Sequence, residues 1–228
     1  MRAVRQAIAV LAAGAAATAL AGEGDRSASG AAPDAAPTAA PATKPPAEPA
    51  WEIALTAYPT RVRGGENYTS AILAADRGAL HLEARVNYES IGARSAFVGW
   101  TFSGGETLTW ELTPLLGGAW GATQAFVPGL EASVAWRRLD LYVEAEYVRD
   151  SKAHDDSYFY AWSELGFRPV EWLRVGVAGQ RTRAYGGERD IQRGPFAQVT
   201  VGPFTVGGYW FNPGAGDQVF VGSIGVAF

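Results

Sequence analysis

Charged side chains recur in this chain at alternate positions. Glu83 and Arg85 stand two apart, and Asp140, Glu144 and Glu146 share one parity. Glu111, Glu131, Glu164 and Arg174 follow at the matching phase of their own runs. In an extended chain, residues at even spacing lie on one face, so each run would gather its charges on one side. A face of carboxylates and guanidinium groups supports two kinds of chemistry. The groups can interlock into a structural network with Tyr142, Tyr160 and Trp162, because isolated charges in a low-dielectric interior are very costly. Alternatively they can line a narrow wet path that prefers cations or polar neutral solutes over anions. Seven acids against two arginines in this set favour the wet path.

Catalytic chemistry finds less support. The chain has two histidines and no cysteine. His154, in Ala153-His154-Asp155-Asp156, could act as a base or bind a metal beside its carboxylates, but no second histidine is near it. No G-x-S-x-G nucleophile motif occurs, and Gly222-Ser223-Ile224-Gly225 has the wrong spacing. His81 lies beside Glu83 and Arg85 and reads as a member of their network rather than as a ligand. No catalytic, cofactor-binding or metal residue is therefore expected. A net charge of −4 without a basic stripe excludes a nucleic-acid partner.

The charged runs must be held by strands. From Trp51 onward the sequence is a series of short alternating runs separated by turn signals such as Asp76-Arg77-Gly78, Ser103-Gly104-Gly105-Glu106, Arg137-Arg138 and Gly202-Pro203. About twelve strands result, with long and short connections strictly alternating. Leu139, Leu141, Val143, Ala145 and Tyr147 oppose Asp140, Tyr142, Glu144 and Glu146; Leu80, Leu82, Ala84, Val86 and Tyr88 oppose His81, Glu83, Arg85 and Asn87. Trp51, Phe102, Trp136, Phe167, Trp172, Phe204 and Phe228 fall near short-turn ends, as an interfacial girdle would. Pro114 cannot donate to a ladder and marks a bulge or a strand end. The apolar stretch Pro114–Gly129 either folds into the barrel mouth or extends both of its strands as a hairpin.

Ahead of the strands, residues 1–21 read as a secretory signal peptide, with Arg2 and Arg5, an apolar stretch, and Ala19-Leu20-Ala21 as the cleavage site. Losing Arg2 and Arg5 would take the net charge from −4 to −6. The apolar stretch is shorter than the ~20 residues a membrane helix needs. Residues 22–50 are Ala/Pro-rich and almost free of large apolar side chains, as in a disordered periplasmic linker. Residues 51–228 are the strand-bearing domain. Without cysteine the chain offers neither a disulfide nor a lipid-anchoring thiol.

The closing run alternates large Phe220, Ile224, Val226 and Phe228 with small Val221, Ser223, Gly225 and Ala227, and ends on the aromatic. With the export signal, the alternation and the loop asymmetry, it resembles the terminal strand of bacterial outer-membrane β-barrels. The resemblance implies an all-β, transmembrane antiparallel up-and-down barrel, greasy outside and polar within. It implies an outer-membrane location and, as a partner, the barrel-assembly machinery, with Phe228 as the recognition residue. The function expected is a narrow porin-like, cation-preferring passive channel for small polar or cationic solutes. A non-conducting structural or adhesive barrel is the alternative, and a surface hydrolase a third. Arg61, Arg63, Arg149, Arg181 and Arg183 at the outer strand ends suggest a rim facing lipopolysaccharide, since arginine contacts phosphate in bidentate fashion.

Overall fold

Alternation gives each run one apolar and one polar edge, and a sheet with two such faces is stable in lipid only if it closes. In the computed structural model the described residues are 49–184 and 189–228. The expected signal peptide and most of the expected linker lie outside them. The strands are β1 (Glu52–Val62), β2 (Tyr68–Arg77), β3 (Leu80–Val86), β4 (Ala93–Trp100), β5 (Phe102–Gly104), β6 (Leu108–Gly121) and β7 (Ala125–Trp136). They continue as β8 (Leu139–Asp150), β9 (Tyr158–Val170), β10 (Leu173–Ala184), β11 (Arg189–Val201), β12 (Phe204–Phe211) and β13 (Val219–Ala227). Every neighbour is antiparallel, β13 pairs with β1, and β4 pairs with β6, so the sheet is a closed up-and-down barrel.

Thirteen strands make twelve staves, because β4 and β5 are one stave broken at Thr101. The pairing Gly99↔Leu115 resumes at Phe102↔Leu112 without a change of register. Between them, opposite the break, stands Pro114. Its missing N–H interrupts the neighbouring ladder, while Pro114 itself stays paired with Leu130 on the other side. Its effect therefore falls on the next stave rather than on its own strand. Pro59 behaves likewise: β1 pairs with β13 at Ala57↔Ile224 and again at Thr60↔Val221, with the ladder skipped between.

The stretch 114–129 forms the hairpin of β6 and β7, with no fold into the mouth. A different segment turns inward. Asn87 adopts a left-handed φ of 55°. Its side chain accepts from the Gly92 N–H and donates to the Thr69 carbonyl, fixing a tight connection to β4. That turn breaks the alternation of β3 and swings Tyr88 and Glu89 into the interior, where both are buried. Tyr88, expected on the lipid face, is corrected to an interior residue for this reason.

Elsewhere the two faces follow the sequence pattern. Leu55, Leu73, Val98, Leu116, Leu141, Leu165, Val177, Val206 and Ile224 are exposed on the outer wall, and so are the girdle aromatics Trp51, Phe102, Trp136, Phe167, Trp172, Phe204 and Phe228. The inner face is not purely polar. Tyr58, Ile72, Tyr88, Tyr160, Trp162, Phe196, Tyr209, Phe211, Val219 and Val221 pack there as one apolar cluster. Among the described residues, no helix is long and apolar enough to cross a membrane, a test that strands escape.

Candidate functional site in the barrel interior

The inward rows of β3, β7, β8, β9 and β10 carry the charges, and they sort into two assemblies. In the first, Arg85 on β3 reaches across the lumen to β8. Its guanidinium donates to Glu83 at 2.5 Å, to Glu146 at 2.6 Å and, more loosely, to Glu144 at 3.3 Å. The cation lies 4.2 Å from the Phe97 ring centre and 4.3 Å from that of Tyr88. Tyr88 also donates its hydroxyl to Glu144 at 2.7 Å. Charge pairing alone would leave an Arg partly bare, and the two ring faces complete its shell.

The second assembly stays within neighbouring staves. Arg174 on β10 donates to Glu164 on β9, Asp140 on β8 and Gln198 on β11. Trp162 and Tyr209 donate to the same Glu164 oxygen at 3.1 and 2.7 Å, and Gln198 donates to the Tyr209 hydroxyl. Phe196 lies 4.7 Å beneath the guanidinium. Arg168 holds the outer oxygen of Asp140. Gly166 makes room for this pair, because a Cβ at that position would sit 2.5 Å from Arg174 Nε and 2.7 Å from Asp140 Oδ1 and would push both side chains aside.

The structure thus brings together Glu83, Arg85, Glu144 and Glu146 in one group, and Asp140, Glu164 and Arg174 in another. Glu131 is half-buried and stands opposite Glu144 in the β7–β8 register. Glu111 points along the inner row but is exposed toward the short-turn end. His154 sits on an exposed single turn, His154–Asp156, where Asp150 caps the backbone of Lys152 and Ala153. Arg61, Arg63 and Arg149 are exposed at the long-loop end, and Arg181 lies 6.0 Å over Phe159; the Arg183 side chain is outside the described residues. Phe228 is exposed and exchanges two backbone hydrogen bonds with Ile53, tying the end of the chain to β1.

Sequence reasoning missed Tyr88, Phe97, Gln198, Tyr209 and Gly166. The aromatics belong to runs whose phase is readable, but Tyr88 reverses phase at Asn87. Only the register of β9 against β8 and β10 reveals the room that Gly166 leaves.

No protein-family model matches the chain, and no characterised protein matches it by sequence. Solved structures do match in shape. The KdgM porin superposes with a TM-score of 0.56 at 9% identity, over 77% of this chain and 98% of that one. A second KdgM porin structure, in complex with disordered oligogalacturonate, gives a TM-score of 0.56 at 8% identity over 77% and 99%. The chain has the fold of a small outer-membrane β-barrel. Twelve staves are the stave count of this porin fold.

Within the porin fold the interior of this chain is tightly occupied. Trp162, Arg85, Tyr58, Tyr88, Tyr160, Phe211, Glu144 and Glu146 are each no more than 2% exposed. Such side chains touch almost no water-sized space, so this part of the interior is densely packed. Two concave sites, of about 710 and 430 Å³, lie on the outer wall, the first around Leu141, Leu165 and Val177, the second around Pro59 and Arg61.

Proposed function

We propose that the protein is a porin-like passive channel of small conductance that prefers cations to anions. The supporting observation is the charge count of the inner rows: Glu83, Glu111, Glu131, Asp140, Glu144, Glu146 and Glu164 against Arg85 and Arg174. A pore of that sign concentrates cations and repels anions. Oligogalacturonate, the solute named with the KdgM structure, is a polyanion. An acid-rich lumen is a poor match for it, so the cargo proposed here is small and neutral or cationic. The densely packed part of the interior predicts brief, small openings.

Single-channel recording in planar bilayers tests this reading. A salt gradient should give a reversal potential displaced toward that of the cation; displacement toward the anion overturns the preference. A second reading, a non-conducting structural barrel, is favoured by the near-complete burial of Arg85, Glu144 and Trp162. Absence of any current from correctly folded protein would establish it.

Two partners belong to the same proposal. Arg61, Arg63, Arg149 and Arg181 suit lipopolysaccharide phosphates, since Arg61 and Arg149 pair in register with the outward aromatics Phe220 and Phe126. Replacing all four with Gln should weaken copurification of lipopolysaccharide; unchanged copurification removes the rim. Phe228 is proposed as the contact read by the barrel-assembly machinery. Its deletion should lower the heat-modifiable, folded fraction in the outer membrane, and wild-type levels would refute the role.

A further inference from the structure

One histidine in the interior stands between two carboxylates. His81 is 8% exposed, and its Nδ1 lies 2.7 Å from Asp76 Oδ1, the residue directly opposite on β2. With Nδ1 donating to Asp76, a neutral ring has its Nε2 lone pair available to a ligand. Nε2 is buried and makes no aligned hydrogen bond; its nearest neighbour is Glu83 Oε1 at 3.3 Å, itself an acceptor. A neutral imidazole's lone pair facing a carboxylate is repulsive, so the pair calls for either a second proton on the ring or a metal ion between the two groups.

A third ligand arrives from another part of the wall. Glu131 on β7 is separated from β3 by the staves of β4 and β6, yet its carboxylate joins the group. One donor atom each of His81, Glu83 and Glu131 lies within 4.8 Å of the others. The 3.3 Å between His81 Nε2 and Glu83 Oε1 already suits two ligands on one divalent ion at about 2.0–2.2 Å from each. The surrounding charge asks for a cation. Arg85 is the sole guanidinium bonded to Glu83, Glu144 and Glu146 among the described residues, and Glu131 adds a fourth carboxylate beside Glu144.

We infer that His81 Nε2, Glu83 and Glu131 form a divalent transition-metal site inside the barrel, with Asp76 as the positioning residue for the imidazole. One imidazole with two carboxylates suits zinc, iron or manganese more than calcium or magnesium, which take oxygen alone. The bound ion would tie β3 to β7 across the intervening staves and offset the carboxylate surplus around Arg85.

The site is tested with the refolded full chain in detergent, stripped with chelator and titrated with zinc by calorimetry. Wild type should bind one equivalent per barrel. Glu131→Gln and His81→Ala should each lose the binding, and Asp76→Asn should weaken it roughly 10–100-fold, as removal of a ligand-orienting carboxylate does. His154→Ala, on the external turn, should bind as wild type. If His81→Ala fails to fold, Glu131→Gln, confirmed as folded by its heat-modifiable gel shift, decides alone. Binding that survives Glu131→Gln but disappears with His154→Ala overturns the site. So does a lack of binding in wild type whose His81 proves by NMR titration to carry only a second proton. Zinc binding is read here without any conductance measurement, so the site stands or falls separately from the channel.

Discussion

The two arginine assemblies inside the barrel solve the same problem in opposite ways. Arg174 ties β10 to β8, β9 and β11, staves that are already close, and its Glu164 partner has further donors in Trp162 and Tyr209. Arg85 reaches instead from β3 to β8 across the lumen and is the chief positive group among three carboxylates. The first assembly reinforces a wall; the second spans a space. A bond within the wall leaves the bore unchanged, whereas a bond across it decides whether the bore is open.

The largest effect expected from this contrast comes from Arg85→Met. It leaves Glu83, Glu144 and Glu146 buried without their cation, and stranding buried charge costs about 3–5 kcal/mol. Urea unfolding in lipid vesicles should show that loss, and a smaller one for Arg174→Met, because Arg168, Trp162 and Tyr209 still serve Asp140 and Glu164. Equal losses would erase the distinction. In bilayers, any folded Arg85→Met barrel should conduct more than wild type, while Arg174→Met should not.

Tyr88→Phe comes next. It removes one donor from Glu144 while keeping the ring against Arg85, and a hydrogen bond to a charged group contributes about 2 kcal/mol. Gly166→Ala should cost about 1–2 kcal/mol by pushing the Arg174–Asp140 pair apart, as overpacking does. Because that strain lies in the wall, the variant should leave conductance unaltered; a changed conductance would mean that the wall assembly also controls the bore.

The smallest effect is one of pH. Glu89, on the connection outside the strands, is buried with neither carboxylate oxygen in a hydrogen bond. Burial pushes its carboxyl above the ordinary 4.5, with Arg85 pulling it partly back. The folded protein thus holds this proton more tightly than the unfolded chain, so stability falls as pH rises from the unfolded value through the folded one. Glu89→Gln should gain on wild type across that window and match it at lower pH. A constant difference between the two would show that Glu89 does not titrate in the fold.

Much of the barrel was readable from local pattern. The faces of β3 and β8 and the girdle at Trp136 and Trp172 depend on residues a few positions apart, whereas the expected strict alternation of long and short connections fails at β6–β7, joined only by 122–124. Pro114 shows where such reading stops. A proline's missing donor is visible in sequence, but which ladder loses it depends on the partner stave, here the one broken at Thr101. The apolar stretch 114–129 likewise allowed either a fold into the mouth or a hairpin, and its pairing with β7 decided for the hairpin.

By itself, the sequence determined the strand alternation, the stave count and which side of most strands meets lipid, because side-chain direction in an extended chain has a period of two residues. Only the tertiary structure decided what faces what across the lumen. Arg85 meets Glu146, and Glu131 approaches His81, through the accumulated register of several staves, and Tyr88 enters the interior through a single backbone angle at Asn87. Those distances and that angle are properties of a closed cylinder, and no run of neighbouring residues encodes them.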